Sequence, residues 1–351
     1  MAKIGENRIR WIDIAKAMVM VLVVFGHTMR GGAGQRMVYS FHVVAFYFLA
    51  GMTAKTDHAG KRILADLRRI LVPYLAFGLI SIAVYALLGR FAAGKLGMDV
   101  DTSIWNNLRD LLYANARGRS LQFNTPLWFL PCLFAVKLVY YGVDRLCKGK
   151  QGPILLASLV LAAISFGYLA LELPYPPFSL TVALKMLPFF ALGRICFLGL
   201  PELDMERFRR PGKLLAGCAL LGVACVVGYF APKVNYSGDT FPNVPAFCVT
   251  ALCGSVGVCL LAMGIEKCRI LEYVGKETLA ILVMHKFPVL LFQTVGPFKS
   301  LLAKKDTLAG NLLGGFPVAL VAIGLCLVAS VVVKWICPQL LGVEHMKKRS
   351  A

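Results

Sequence analysis

The amino-acid sequence predicts an all-α, polytopic membrane protein, a bundle of about ten transmembrane helices with both termini in the cytoplasm. Of its 351 residues, 58% are hydrophobic and only 16% are charged, and the mean hydropathy is +0.70. The apolar residues fall into runs that approach the roughly 20 residues needed to cross a bilayer. Lys and Arg concentrate in alternate loops, which is typical of a chain that crosses the membrane repeatedly.

The apolar runs predict ten spans and a single membrane-embedded domain over residues 1–351, with no separate soluble domain. The predicted spans are 12–29, 37–53, 70–89, 127–143, 154–173, 181–199, 214–231, 246–264, 278–296 and 316–337. With a cytoplasmic N-terminus, the inside segments hold about twice as many Lys and Arg residues as the outside segments. Five further lysines fall within the spans.

The formal charge of +20 does not indicate a nucleic-acid partner, because most of the basic residues lie where membrane topology requires them. The remainder suits anionic membrane lipid or a phosphorylated ligand. A cleaved signal peptide is the alternative interpretation of the first span, but Asp13 and Lys16 interrupt its apolar run. The 11 cysteines lie mostly in apolar runs and predict neither a disulfide framework nor a metal site.

The first span, WIDIAKAMVMVLVVFGHTMR, carries three ionisable residues on one helical face: Asp13, Lys16 and His27. Charged groups in hydrocarbon are costly, so their presence in a span indicates a functional role. The stripe from Lys16 to His27 would extend about 16 Å along the helix. The alternative is an ordinary ion pair of Asp13 with Lys16 at the helix start, and on either view Asp13 is expected to hold Lys16 in place.

The candidate catalytic residues are His27, His42 and Asp13. A short glycine-rich turn between the first two spans brings the two histidines to nearly the same depth, and Asp13 would contribute by holding Lys16. His42 would orient His27 or hold a substrate. His285 lies in the ninth span, about 13 Å below His27 if both helices stand upright. We therefore expect His285 to line a cofactor channel.

A basic loop precedes the third span, and clustered arginines bind phosphate groups well. Its residues and two nearby side chains are the candidate cofactor-binding residues: Lys61, Arg62, Arg68, Arg69, Tyr74 and Arg194. Contact with anionic lipid is the alternative for the loop. On the opposite side, the long loop over 90–126 suggests a lid or a substrate-binding element. Arg30, Asn124 and Trp128 are the candidate substrate-binding residues there, although Trp128 also suits an aromatic belt at the membrane interface.

Several segments together resemble the integral-membrane acyltransferase 3 family: DIAKAMVMVLVVFGH, FHVVAFYFLAG, RRILVPY, PLWFLP, FFALGR and TLAILVMH. The resemblance covers nearly the whole chain and is strongest to the fucose 4-O-acetylase-like sugar O-acetyltransferases. Its most specific element is a basic residue followed, after ten residues, by histidine, which Lys16 and His27 match. Lysine at that position can hold a phosphate or carboxylate only as a point charge.

The resemblance implies acyl transfer from cytoplasmic acetyl-CoA to a hydroxyl of a cell-surface or lipid-linked sugar, in the inner membrane of a cell envelope. The nucleotide would bind the basic loop, and the pantetheine arm would pass Lys16 to reach His27. His27 would act as general base, or as a covalent acyl carrier. A proton-coupled transporter or lipid-linked sugar exporter is the alternative function, and a non-enzymatic scaffold is a third. The assembly state, monomer or homodimer, is left open.

Overall fold

The fold is all-helical, as the sequence predicts. The computed structural model describes residues 8–29, 31–96, 101–115, 117, 121–201, 209–294, 297–298, 302 and 307–342. Within these ranges every regular element is a helix, and the single β-bridge joins Asn235 and Thr240. Arg30, a candidate substrate-binding residue, lies outside the described residues.

Eight helical segments in the described ranges are long and apolar enough to cross a membrane. They are Arg10–Thr28, Ala59–Gly89, Gln122–Leu146, Gln151–Ala170, Pro177–Gly199, Arg210–Phe230, Val244–Ile265 and Leu308–Ile336. Each overlaps a run that the sequence predicts as a span, although Ala59–Gly89 and Leu308–Ile336 begin 11 and 8 residues before the predicted 70–89 and 316–337. The chain is therefore a multi-pass membrane protein.

These segments divide into helices at local irregularities. The helices in chain order are α1 (Arg10–Thr28), α2 (Gly32–Tyr39), α3 (His42–Met52), α4 (Ala59–Asp66), α5 (Val72–Leu96), α6 (Ile104–Tyr113), α7 (Phe129–Leu146), α8 (Gln151–Ala170), α9 (Leu180–Gly199), α10 (Arg210–Phe230), α11 (Val244–Ile265), α12 (Arg269–Lys276), α13 (Thr278–Met284), α14 (Lys286–Thr294) and α15 (Phe316–Ile336). A π-helical turn, Leu67–Leu71, joins α4 to α5. Two 3₁₀ turns, Gln122–Trp128 and Pro177–Ser179, precede α7 and α9.

The two remaining predicted spans, 37–53 and 278–296, are interrupted helices. In the first, α2 ends and α3 begins on either side of Ser40 and Phe41. The carbonyl of Ser40 accepts hydrogen bonds from the hydroxyls of Tyr236 (3.3 Å) and Thr250 (3.2 Å). Side chains from elsewhere in the fold thus satisfy the backbone at the interruption, as an irregular segment within a membrane requires. In the second, Glu277 and His285 separate α12, α13 and α14.

Helix α1 is the most buried of the eight spanning segments and contacts α3, α11, α12 and α15. Its closest neighbour is α12, where Gly275 lies against the backbone of Asp13. A Cβ atom on Gly275 would lie only 1.9 Å from the Asp13 carbonyl oxygen, so no larger residue fits this approach. Small residues commonly allow such close helix packing in membranes. We call the end of the bundle that holds Arg10 and Arg69 the basic end, and the opposite end, which holds Thr28, the far end.

Ion pairs, one buried and two partly buried, neutralise most of the lysines in the spans. The three pairs are Lys137 with Asp66, Lys185 with Asp239, and Lys334 with Glu277. Pairing of this kind is what a charged group in a low-dielectric interior requires. The other two lysines, Lys16 and Lys286, make no ion pair with any described residue.

Candidate active site

A cavity of about 260 Å³ extends along α1 from the basic end to the histidines, and we call it the central cavity. Lys16, Thr53 and Arg69 line it at the basic end, and His27 and His42 line it toward the far end. Its walls between these groups are mainly apolar: Met20, Val23, Val43, Phe46, Phe129, Leu130, Leu133, Leu279 and Leu282. The stripe predicted from the periodicity of the first span therefore faces an open channel.

His27 and His42 both line the central cavity, as their predicted depths suggest. His285 is not part of the cavity wall, but its ring lies against the ring of His27. The ring centroids of His27 and His285 are 5.1 Å apart. The predicted 13 Å difference in depth is therefore wrong. Its premise was an upright span beginning near Thr278, but the helical segment begins at Arg269 and its Gly275 is already level with Asp13. The extra helix raises His285 toward His27.

Backbone hydrogen bonds define which ring nitrogen is available on two of these histidines. The Nδ1 atom of His42 lies 2.7 Å from the carbonyl of Val38, and the Nδ1 atom of His285 lies 2.9 Å from the carbonyl of Ile281. A carbonyl only accepts, so each Nδ1 carries the proton and each Nε2 is left as an acceptor. The Nε2 atom of His285 is buried and has no hydrogen-bond partner among the described residues. An unpaired basic nitrogen thus lies beside His27.

The loop over 231–243 covers the histidines at the far end. Its Tyr236 ring meets the ring of His42 edge-on, with centroids 6.2 Å apart. Its Lys233 ammonium lies 4.6 Å from the ring centroid of Tyr39, which itself lies between His27 and His42. This loop resembles an ordinary polar connection in the sequence, so its role was missed.

A buried ion pair anchors that loop. The Nζ atom of Lys185, on α9, lies 2.7 Å from the Oδ1 atom of Asp239, and both side chains are almost fully buried. Lys185 also lies over the rings of Phe166 and Phe241. A lysine in the middle of a predicted span is a sequence signal that could have identified this contact.

Asp13 does not hold Lys16 at the basic end, contrary to the prediction. Its carboxylate accepts two hydrogen bonds from Arg8, at 2.9 and 3.0 Å. A bidentate guanidinium is the stronger partner for a carboxylate. Asp13 precedes His27 by 14 residues on the same helix, about 21 Å along the axis. It therefore contacts none of the reacting groups, while Lys16 is left free to face the cavity.

The basic loop divides into two sets of residues. Lys61, Arg68 and Arg69 line a small cleft of about 100 Å³ at the surface of the basic end. Arg69 lines both this cleft and the central cavity, so the two are neighbours. Arg62 instead binds the carboxylate of Asp57 at 3.1 Å and lowers the pKa of that carboxyl. Arg62 is thus already paired.

Three of the remaining candidates do not line the central cavity. The hydroxyl of Tyr74 donates to the carbonyl of Leu111 at 2.6 Å, so Tyr74 supports the fold and does not face the central cavity. Arg194 is likewise absent from the cavity wall. Asn124 is fully buried and donates to Val283 and Ser81, at 3.0 and 3.1 Å.

Trp128 lines the central cavity with 7% of its surface exposed. It is thus not a residue of an aromatic belt at the membrane interface, which was the alternative interpretation.

Secondary transporters often have helices broken at corresponding positions of two repeated halves, and this chain contains two interrupted helices. The interruptions are in the second and ninth predicted spans, which are not corresponding positions in two halves of five. A family comparison decides between the two classes of protein. The model of an acyltransferase domain, that of the acyltransferase 3 family, matches residues 9–335. No curated protein and no solved structure matches the chain. Because the family match covers nearly the whole sequence, this chain belongs to the acyltransferase 3 family of membrane acyltransferases.

Proposed function

We propose that the protein transfers an acetyl group from cytoplasmic acetyl-CoA to a hydroxyl of a cell-surface or lipid-linked sugar. The observation that carries this proposal is the central cavity, which leads from cations at one end to histidines at the other. A cation at the entrance suits a phosphorylated donor, and an imidazole at the inner end suits proton removal from an alcohol.

The donor enters from the basic end. The phosphates of its nucleotide bind at the cleft of Lys61, Arg68 and Arg69, where arginine can form two hydrogen bonds to one phosphate. The pantetheine arm then passes Lys16 and occupies the apolar part of the cavity. Arg69 is the link between these two steps, since it lines both spaces.

The chemistry takes place at His27. A neutral His27 takes the proton of the acceptor hydroxyl as the oxygen attacks the thioester carbonyl, and the C–S bond then breaks. The departing thiolate receives the proton, which gives the ester and free CoA. Because the Nε2 atom of His285 is a buried acceptor beside His27, it can accept a hydrogen bond from the protonated His27 ring and so stabilise the proton that His27 takes up.

The same proposal includes the topology and the extent of the domain. Counting the two interrupted helices as spans gives about ten crossings, with both termini and the basic end in the cytoplasm. Residues 1–351 then form one membrane-embedded domain in the cytoplasmic (inner) membrane. This orientation supplies the donor from the side on which acyl-CoA is made and leaves the far end facing the acceptor.

Release of free thiol from acetyl-CoA tests the proposal. The assay uses purified protein in lipid, with sugars and lipid-linked sugars added in turn, and compares the wild type with His27→Ala. We expect His27→Ala to lose about 10²- to 10⁴-fold in turnover, the usual contribution of a general base. The control is His58→Ala, because His58 is an exposed histidine away from the cavity.

Two outcomes would contradict the proposal. Full activity of a folded His27→Ala protein would remove His27 from the chemistry. If the wild-type protein bound no acetyl-CoA in calorimetry, acetyl-CoA would be excluded as the acyl donor.

A further inference from the structure

A second cavity, of about 380 Å³, lies in the far half of the bundle, and we call it the lateral cavity. Its walls are one face of α5, Phe123, and α14 from Lys286 onward. The deep wall includes Ser81 and Phe123, which are buried. At the rim, Leu88 and Leu291 are 60% and 54% exposed, on the apolar outer surface of the bundle. The cavity therefore opens sideways toward the acyl chains of the bilayer.

Lys286 is the one charged side chain on the described wall of this cavity. Like Lys16, it has no ion-pair partner in the part of the chain that the structure describes, whereas the other three lysines in spans are all paired. An ammonium group in an apolar environment needs a counter-ion or water. The two unpaired lysines each line one of the two cavities. Each cavity therefore offers an unpaired ammonium group to an anionic ligand.

Hydrogen bonds of one buried side chain join the wall of the lateral cavity to the helix that carries His285. Ser81, on the cavity wall, accepts a hydrogen bond from Asn124 (3.1 Å), and Asn124 also donates to Val283, two residues before His285. Two buried acceptors in this region have no partner among the described residues, Oδ1 of Asn124 and Nε2 of His285. Both can accept a hydrogen bond from a hydroxyl group. Lys286 follows His285 directly in the chain.

We propose that the lateral cavity binds the acceptor as a membrane-embedded lipid with a phosphate headgroup, which carries the hydroxyl to be acylated. The hydrocarbon tail lies along the apolar wall and extends into the bilayer past Leu88 and Leu291. The phosphate pairs with Lys286, and the hydroxyl reaches the histidines near Asn124. This assignment rests on the proposed acyltransferase function and specifies its acceptor. The acyl group and the acceptor thus approach His27 from two different cavities.

Photolabelling tests the assignment without relying on activity. The probe is a long-chain alkyl phosphate with a diazirine in its tail, presented to the full-length protein in neutral detergent, and the uncharged alkyl alcohol of the same length is the comparison. We expect the phosphate to label peptides within 81–89 and 286–294, and Lys286→Met to weaken its binding about tenfold, the effect of one charged hydrogen bond. Lys213→Met is the matched control, a partly buried lysine of α10 that lines neither cavity.

The outcomes separate this inference from the proposed function. Equal labelling by the alcohol and the phosphate, or no effect of Lys286→Met, would mean an ordinary lipid groove and would overturn the assignment. Loss of labelling in millimolar inorganic phosphate would overturn the lipid as occupant, since the site would then select a free anion. Specific labelling by a wild-type protein that releases no thiol from acetyl-CoA would support the site while refuting the acyl transfer. In an active enzyme, Lys286→Met should keep the KM for acetyl-CoA and raise the apparent KM for a phosphate-bearing acceptor.

Discussion

Replacing His285 by phenylalanine should slow the chemical step and leave donor binding unchanged. The phenyl ring fills the volume of the imidazole, so the buried position between Ile281 and His27 remains packed. The substitution removes the Nε2 atom, which is the unpartnered acceptor beside His27. His27 then takes up a proton without a neighbour to stabilise it.

The magnitude follows from the hydrogen bond that is lost. A hydrogen bond to a charged group contributes about 1.5–3 kcal/mol, and each 1.36 kcal/mol corresponds to about a factor of ten in rate. The contact is formed only when His27 is protonated, so it acts on the transition state and not on the bound donor. We therefore expect kcat to fall about 10- to 100-fold with an unchanged KM for acetyl-CoA.

The assay is thiol release from acetyl-CoA at saturating acceptor, with the donor concentration varied. His58→Phe is the control, since it removes an exposed imidazole from the loop before α4. A raised KM with unchanged kcat would refute the reasoning, because it would place His285 in the donor channel, as the sequence suggested. An unchanged enzyme would remove His285 from both roles. Thermal unfolding of the variant near the wild-type temperature is needed for either conclusion.

Two further predictions concern the basic end and the far end. Arg69→Gln should raise the KM for acetyl-CoA about tenfold, because it removes one charged contact to phosphate. Arg62→Gln should leave that KM unchanged, because Arg62 is bound to Asp57. Steady-state kinetics on both variants measures the difference. Lys185→Met should destabilise the fold by about 3–5 kcal/mol, because it leaves the carboxylate of Asp239 buried and unpaired. The double variant Lys185→Met/Asp239→Asn should recover part of that loss. Unfolding temperatures in detergent compare these variants with the wild type, and additive effects of the two substitutions would contradict the pairing of Lys185 with Asp239.

Much of the fold could be predicted from the sequence because a bilayer constrains it strongly. Runs of apolar residues identify spans by length alone, and eight of the ten predicted runs are continuous helical segments. The two interruptions could not be predicted from the runs themselves. The turn at Ser40 is stabilised by hydroxyls from Tyr236 and Thr250, which are about 200 residues away in the chain. Local propensity carries no information about such partners.

In the candidate site too, helical periodicity predicts some features, whereas those that depend on tertiary contacts could not be predicted. Periodicity places Lys16 and His27 on one face of α1, and both line the central cavity. Depth counted along a single helix failed for His285, because the start of its helix could not be recognised from hydropathy. The ion-pair partner of Asp13 could not be predicted from the sequence either, because Arg8 and Lys16 lie at similar distances from it along the chain. Only the structure shows that Arg8 binds it.

The two unpaired lysines also suggest how the enzyme would bring its donor and its acceptor to the histidines by separate routes. An unpaired ammonium group within a bilayer is unfavourable, and a bound anion lowers that cost. Lys16 and Lys286 would each favour the binding of an anionic group for this reason. Lys16 lines the central cavity at the basic end, and Lys286 lines the lateral cavity. With the donor and the acceptor lipid bound as proposed above, the two ligands would approach the histidines from different cavities, and neither would need to pass the other. The walls of the central cavity between Lys16 and His27 are mainly apolar, so a thioester bound there would be shielded from water until an acceptor hydroxyl is present.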